Sequence, residues 1–511
     1  MTEHRSASLN AERRRIEMSR LAAGGGVDVV VIGGGITGAG VALDAASRGL
    51  RTVLVERRDL ANGTSRWSSK LAHGGLRYLR QGEVGVAWES ARERHILMTR
   101  TAPHLVTALP FVAPLDSAMS RSYGALAEAG IRVGDVMRAV SGTRRRVLPP
   151  PRRISRHEVM RLLPGVRLND LRGGILFWDG QIEDDARLVI AVARTAAAHG
   201  ATVLTYCEAV SVRRGAVTVR DTIGGQSFDV ATAHIVNAAG VWSDELAPGV
   251  RLTPSKGSHI IVSAATLGNP RAAMTVPIAG ESARWVGAVP NHDGAVVVGV
   301  TDDEYTGPIV DAPAVTHEEE QYLLAALSVA LATPITSADV IGSYAGFRPL
   351  LAGREGSTAD LSRRHAIVTN PQTGMVTVVG GKLTTYRRMA QDTVDRVLGD
   401  NRPRSRTARL PLVGAAPADV LGGLRAPGRL VRRYGIEAPA VAELAAGDPS
   451  LLEPIAGGVP VLGVELVFGL RHEGAMNLDD LLDRRTRLGL IPEQREAAER
   501  GAAHLLESIA A

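Results

Sequence analysis

Asp28-Val29-Val30-Val31-Ile32-Gly33-Gly34-Gly35-Ile36-Thr37-Gly38 sets a short β-branched run against a glycine-rich turn, and this junction decides the fold class. Asp28–Ile32 has the composition of a parallel strand buried on both faces. Ala39 to Arg48 is alanine-rich and predicts a helix, Gly49 its stop, and Thr52–Val55 a second strand ending at Glu56. Strand, GxGxxG, helix, strand and acid follow one another as in a dinucleotide-binding βαβ unit of about thirty residues. Gly33 permits the tight turn, Gly35 lets the backbone approach a pyrophosphate, and Gly38 lets helix and strand pack. Gly34, Ile36 and Thr37 complete a loop whose helix N-terminus offers N–H groups to the anion. Glu56, eighteen residues beyond Gly38, is placed to accept hydrogen bonds from the adenosine ribose. The unit does not choose between NAD and FAD; its place at the start of a long chain favours FAD.

A second junction of this kind lies at Met375–Val379, an apolar strand followed by Gly380-Gly381-Lys382 and a predicted helix from Leu383 to Val397. Pointed at an isoalloxazine ring, that helix end would stabilise negative charge on reduced flavin. Read alone, it is also consistent with an ordinary strand-to-helix corner. Asn237-Ala238-Ala239-Gly240-Val241-Trp242, after a strand near Ala233 to Val236, offers a third small-residue approach point that by itself is only a turn. With 511 residues and 45% apolar content the chain suffices for two or three domains, which excludes disorder as its main state. A single cysteine, Cys207, closes no internal disulfide and builds no thiolate metal site. No metal is expected: His157-Glu158 is followed by Val159-Met160-Arg161, which breaks the HExxH spacing. Residues 1–26 lack the apolar stretch of a secretory signal, and the run Val29 to Leu43 is interrupted by five glycines, so no spanning helix is expected.

The net charge of +6 is localised. Arg132 to Arg167 holds ten arginines against Asp135 and Glu158, a local +8, so subtracting this from +6 leaves the other residues at −2. Leu126, Ala129, Val133, Met137 and Val140 recur at helical spacing, so Leu126 to Val140 predicts an amphipathic helix entering an Arg-Pro-rich loop. A solvated loop beside a core helix and a seat for anionic lipid headgroups both fit. No nucleic-acid partner is expected, because stacking aromatics and a recognition motif are missing.

Thr64-Ser65-Arg66-Trp67-Ser68-Ser69-Lys70-Leu71, His73-Gly74-Gly75-Leu76-Arg77-Tyr78-Leu79 and Asp184-Asp185-Ala186-Arg187-Leu188 follow the fingerprint. Then come Lys256-Gly257-Ser258-His259, Gly346-Phe347-Arg348-Pro349-Leu350 and Gly380-Gly381-Lys382-Leu383-Thr384-Thr385-Tyr386-Arg387. In this order the chain resembles the FAD-dependent glycerol-3-phosphate dehydrogenases of the respiratory type, within the D-amino-acid-oxidase-like flavoproteins. The run Asn477 to Arg487 is similar to that family's helical cap. The resemblance implies an α/β plus α architecture: a Rossmann-like FAD-binding domain interleaved with an antiparallel-sheet substrate domain, plus a C-terminal helical domain. The oxidoreductase region would occupy 27–400, with FAD segments near 27–85, 170–250 and 340–400, substrate segments near 86–169 and 251–339, and a linker before a helical cap at 408–511. The chain departs from the family at Val289-Pro290-Asn291-His292 and Gly299-Val300-Thr301-Asp302, where an aromatic Pro-Trp stretch and Gly-Thr-Thr-Asp are usual. With only 4% aromatic residues, membrane insertion should be shallower than the family implies.

The resemblance also implies roles. Arg77, Arg348 and Arg363 would meet the phosphate of glycerol 3-phosphate, with Arg364 an alternative to Arg363; a guanidinium grips such oxygens bidentately. Tyr78 would position substrate, His259 would serve as the base, and Lys382 would stabilise phosphate or reduced flavin. FAD would lie along Gly33, Gly34, Gly35, Ile36, Thr37, Gly38, Glu56, Arg57, Thr64, Ser65, Ser68, Ser69, Leu71, His73, Gly74 and Gly75. Its remaining contacts would be Ala239, Gly240, Gly381, Lys382, Leu383 and Thr384. The implied partners are a membrane quinone as electron acceptor and an anionic membrane surface, with a homodimer as the assembly and the inner face of the cell membrane as the location. Dioxygen as acceptor, an amine or amino-acid oxidase, and an FAD-dependent nucleic-acid-binding protein remain as alternatives.

Overall fold

A computed structural model describes residues 6–75, 82–116, 121–247, 249–278, 284–352, 364–400 and 403–510, without the side chains of 121–123, 125–127 and 507–510. Among these residues the strands form two sheets, one of eight strands and one of ten. In the first, β1 (Val27–Ile32) is central, with β2 (Thr52–Val55) and β6 (Ser227–Asn237) parallel on either side. Beyond β2 lies β5 (Thr202–Leu204); beyond β6 lie β13 (Val376–Gly380), parallel, and β12 (His365–Thr369), antiparallel. β1 is buried on both faces, as its composition predicts. Val29 and Val31 pack toward α1 (Ile36–Ser47), α4 (Asp185–Ala198) and α6 (Tyr386–Leu398), whereas Val30 and Ile32 pack against Val217, Val219 and Met18. Helix α1 begins at Ile36, earlier than Ala39, because Gly35 takes the extended N-cap conformation. Leu383–Thr385 is a turn of 3-10 helix, and the α-helix proper starts at Tyr386.

The second sheet runs through β7 (Leu252–Ser263), β10 (Ala295–Gly299), β9 (Trp285–Pro290), β8 (Ala273–Pro277), β3 (Val106–Leu115) and β4 (Gly173–Ile182). The long β11 (Val340–Leu351) pairs antiparallel with β7 on its other edge. One face carries Ile260, Val262, Val296 and Val298 onto Leu323, Leu324 and Leu327 of α5 (His317–Ser328). The opposite face presents Gly257 and His259 to a cavity. Strands β4 and β11, which the expected boundaries at 170 and 340 assign to the FAD domain, belong to this second sheet.

The basic segment is more ordered than the loop expected of it. Helix α3 (Arg121–Val140) precedes a turn, then a strand Arg152–Ile154 paired with β4, then a helix Arg156–Leu162 closed by a Ser155/Glu158 capping box. The side chain of Leu126 lies outside the described residues; Met137 turns inward onto Val86 and Ala87 of α2 (Val84–Ile96), and Val133, Val136 and Val140 are exposed. Half of the ten arginines are held by acids: Arg132 and Arg153 by Glu128, Arg138 by Asp135, Arg152 by Glu158 and Arg167 by Asp116. Residues beyond 407 form helices around two apolar clusters, including Gly463–His472 and the longer Pro492–Ala510. No helix of the described residues is long and apolar enough to cross a membrane.

Candidate active site

A cavity of about 580 Å³ is lined by residues from both sheets, at the carboxyl ends of β1, β2, β6 and β13. Ligands of open α/β sheets bind at such strand ends. Among its walls are Gly33, Gly35, Ile36, Thr37, Glu56, Arg57, Thr64, Ser65, Ser68, Ser69, Leu71, His73, Ala239, Gly240, His259, Arg348, Gly381, Lys382, Leu383 and Thr384. Four expected cofactor residues are not on these walls. Gly34 lies behind Glu56, its N–H donating to Oε2 at 2.6 Å, and a Cβ there would sit 2.8 Å from the Glu56 side chain. Gly38 serves helix–strand packing, since a Cβ would fall 1.8 Å from the Gly33 carbonyl oxygen. Gly74 donates to Asp179 at 3.1 Å under the Arg94 guanidinium, and Gly75 is a buried left-handed turn with φ of 79°. Arg77, Tyr78 and Arg363 lie outside the described residues, and Arg364 is exposed and not among the cavity walls.

The fingerprint end suits a dinucleotide. Gly35 caps α1 without a side-chain hydrogen bond and no acid stands in the first turn, so no side chain of the helix itself offsets the positive end that faces the cavity. Ser65 Oγ accepts from the Ile36 N–H at 2.9 Å, which ties the Thr64–Arg66 turn to the loop. Glu56 is oriented by two N–H donors, Gly34 and Arg58 at 2.9 Å, and Arg57 lies 4.7 Å over the Trp242 ring. At the second corner Gly380 and Gly381 have φ of 77° and 73°, conformations that favour glycine, and a Cβ on Gly381 would strike Met389. Lys382 follows them, its ammonium donating to Ser90 Oγ at 2.8 Å.

The face of β7 and β11 builds the other end. His259 and Tyr344 are cross-strand partners with rings stacked at 4.6 Å, and His259 Nε2 shares a hydrogen bond with Ser69 Oγ at 2.8 Å. Gly299 leaves room for the imidazole; a Cβ there would be 2.2 Å from Cδ2. Burial, then the charges of Lys70 and Arg348, hold His259 well below the ordinary histidine range, so its ring is neutral near pH 7. Arg348 crosses above Gly257, where a Cβ would be 2.3 Å from Nη2. It donates to Asp302 Oδ1 at 2.9 Å, Ser255 Oγ at 3.1 Å and the Thr301 carbonyl at 3.3 Å. Gly257 and Gly299 are therefore the positions that let Arg348 and His259 lie across the sheet.

Sequence reasoning assigned no role to Asp302, Tyr344, Trp67 or the Lys70–Asp185 pair. Asp302, Asp185, Lys70 and Trp67 stand inside quoted runs, which was the available signal; Tyr344 stands in none and enters only through its ring contacts with His259 and Trp67.

A glycine-marked parallel strand, a second glycine corner and a cavity closed by a sheet that is antiparallel except where β8 meets β3 define a dinucleotide-dependent flavoprotein oxidoreductase. The chain matches the family described as FAD dependent oxidoreductase over residues 28–387, and the C-terminal domain of alpha-glycerophosphate oxidase over 405–509. It is 50% identical over 501 residues to glycerol-3-phosphate dehydrogenase 1 of Mycobacterium tuberculosis, across 96% of this chain and 97% of that one. The X-ray structure of the glycerol-3-phosphate dehydrogenase from Bacillus halodurans complexed with FAD matches with a TM-score of 0.73 at 28% identity, covering 97% and 93%. The dithionite-reduced L-alpha-glycerophosphate oxidase from Mycoplasma pneumoniae, with FAD bound, shares the fold at 16% identity and a TM-score of 0.57, covering 76% and 99%. The chain belongs to the FAD-dependent glycerol-3-phosphate dehydrogenase family, and FAD is its cofactor.

Proposed function

We propose that the protein oxidises sn-glycerol 3-phosphate to dihydroxyacetone phosphate and passes the electrons to a membrane quinone, in glycerol 3-phosphate catabolism. The observation that carries this reading is the placement of a fixed guanidinium, Arg348, and a buried neutral imidazole, His259, on one face of β7 and β11 inside the cavity. Bound FAD supplies a two-electron acceptor whose N5 takes the C2 hydride. Arg348 is already oriented by Asp302, Ser255 and Thr301, so binding a phosphate dianion costs little ordering of that side chain. Arg77, Arg363 and Tyr78 complete the substrate contacts in this reading, and Lys382 faces phosphate or reduced flavin. His259 accepts the hydroxyl proton. Part of its depressed basicity comes from the Arg348 charge, so a dianion seated against Arg348 raises the proton affinity of the base. Val133, Val136 and Val140, exposed beside Arg144, Arg145 and Arg146, support a seat on the anionic inner face of the cell membrane, and the reading extends to a homodimer.

Anaerobic titration of the purified yellow protein with glycerol 3-phosphate tests the reading: the flavin absorbance bleaches with glycerol 3-phosphate and not with amino acids. Absence of bleaching ends it. Mixing the reduced protein with a soluble quinone or with dioxygen then assigns the acceptor by the faster return of colour. Arg348→Ala is expected to raise the substrate concentration for half-maximal reduction about a hundredfold while bound flavin stays at its original level; unchanged half-saturation removes Arg348 from the site.

A further inference from the structure

The Asp184-Asp185-Ala186-Arg187 motif opens α4, and its acidic side chains look in two directions. Asp184 caps the helix by accepting from the Arg187 N–H at 3.2 Å and also takes Arg433 Nη2 of the C-terminal unit at 2.8 Å. Asp185 turns toward the cavity wall: its carboxylate accepts the Ser68 N–H at 2.9 Å, the Ser68 hydroxyl at 2.7 Å, and Lys70 Nζ at 2.9 and 2.8 Å. Both acids are buried. Lys70 Nζ also reaches the Arg66 carbonyl at 3.2 Å, which draws residues 66–70 into a closed strap.

Arg487 closes the strap from the C-terminal unit. Its Nη2 donates to the same Arg66 carbonyl, its Nη1 to the Asp483 carbonyl at 2.8 Å, and its guanidinium stands 5.2 Å from the Trp67 ring. Lys70 and Arg487 both hold left-handed backbone, with φ of 58° and 66°, which side chains other than glycine adopt only where surroundings enforce it. On the cavity side of the strap, Ser69 Oγ meets His259 Nε2 and the Tyr344 hydroxyl donates to the Ser68 carbonyl at 2.8 Å. Among the described residues His259 Nδ1 is buried without a partner, so Ser69 is the contact that fixes the ring's hydrogen bonding.

We infer that Asp185, Lys70 and Arg487 are positioning residues: they form a mount that holds Ser69 against His259, and the C-terminal unit thereby takes part in substrate oxidation. This rests on the proposed role of His259 as the base. A further cavity of about 80 Å³ is lined by Lys70, Asp184, Arg433 and Arg487, so truncating Arg487 enlarges a space beside the mount that a guanidinium ion can fill.

The test uses full-length, FAD-loaded protein carrying Asp185→Asn or Arg487→Ala, reduced anaerobically with glycerol 3-phosphate across a range of pH. The limiting rate of flavin reduction is expected to fall roughly tenfold to a hundredfold, with the substrate dissociation constant within about twofold of the original. Flavin content and the rate of reduction by dithionite stay at their original values, the inflection of the pH profile moves, and added guanidinium restores Arg487→Ala. Original rates and pH profiles in both variants, or rate losses that follow flavin loss without guanidinium rescue, overturn the mount. If the unsubstituted protein is not reduced by glycerol 3-phosphate, the proposed function fails, and diethyl pyrocarbonate still reads the mount. Faster modification of His259 in the variants at an unchanged melting temperature supports it, and equal modification rates overturn it.

Discussion

Arg132 to Arg167 and the boundary of the C-terminal unit are both rich in guanidinium groups, yet they place most of them in opposite surroundings. In the first, Arg132, Arg152 and Arg153 share acids on the surface with their own side chains 71%, 54% and 68% exposed, and Arg144, Arg145 and Arg146 are exposed too. In the second, Arg484 and Arg485 converge on Asp59, Arg433 meets Asp184 and Arg187 meets Glu473, with both partners buried in every pair. A buried guanidinium is costly unless a carboxylate stands in a defined place beside it. The exposed cluster accounts for the net charge. The buried one fixes where the C-terminal unit sits, and through Arg487 it reaches the cavity wall.

The contrast breaks most visibly at Asp59. Arg485 Nη1 and Nη2 grip its two oxygens at 2.6 and 2.9 Å, and Arg484 Nε adds a third contact at 2.7 Å. Asp59→Asn leaves these cations short of a countercharge in the interior and is expected to cost about 3 to 5 kcal/mol, read from the denaturant midpoint. Removing both charges in Asp59→Leu/Arg485→Met is expected to recover part of that loss, because Arg484 keeps Asp480. A midpoint unmoved by Asp59→Asn would show that burial adds nothing to these pairs.

His104 sharpens the comparison with a smaller effect. It is buried where Gly414 and Gly435 press on its ring, and burial followed by the charge of Arg187 pushes it down to about 3. Because the folded value lies below the unfolded value of about 6.5, the unfolded chain binds a proton that the folded ring refuses. Stability from this residue is complete above about 6.5 and falls as pH drops toward 3; at pH 5.5 the loss is about 1.4 kcal/mol. His104→Gln is expected to flatten the fall in unfolding free energy between about pH 7.5 and 5.5 by that amount. An unchanged slope would mean that the ring takes up its proton while folded.

What the sequence made legible follows the range of the forces involved. β1, α1 and β2 are fixed by contacts within about thirty residues, so the fingerprint was readable to within a turn of helix. The membership of β4 and β11 in the second sheet was not legible, because the chain alternates between the sheets and nothing local tells a strand which sheet will receive it. Gly257, Gly299 and Gly346 stood inside quoted runs, but what each leaves room for, Arg348, His259 and Trp67, is decided by tertiary contacts. Ser155 and Glu158 carried a capping box that marks a helix in the basic segment, a signal overshadowed by the arginines around it. The pairing of Lys70 with Asp185 joins two quoted motifs that only the folded chain brings together.

The smallest effect on stability is expected where the charge is greatest. Among the described residues no ion pair holds Arg144, Arg145 or Arg146, and they follow a helix whose Val133, Val136 and Val140 are 50%, 61% and 68% exposed. Exposed guanidiniums without a partner contribute little to folding, so changing all three to Gln is expected to move the melting temperature by less than ~2 °C. Apolar side chains beside basic ones suit an interface with anionic lipid, where each cation near the surface adds about 1 kcal/mol of attraction. The same triple change is therefore expected to weaken cosedimentation with phosphatidylserine vesicles roughly a hundredfold at physiological salt while sparing flavin reduction by substrate. Val136→Ser separates the two contributions: it leaves the charge in place, so a loss of vesicle binding on this change alone assigns the anchor to insertion. Binding that survives both changes places the anchor elsewhere and leaves the exposed cluster as solvated surface, in which case the contrast between the two arginine regions reduces to burial.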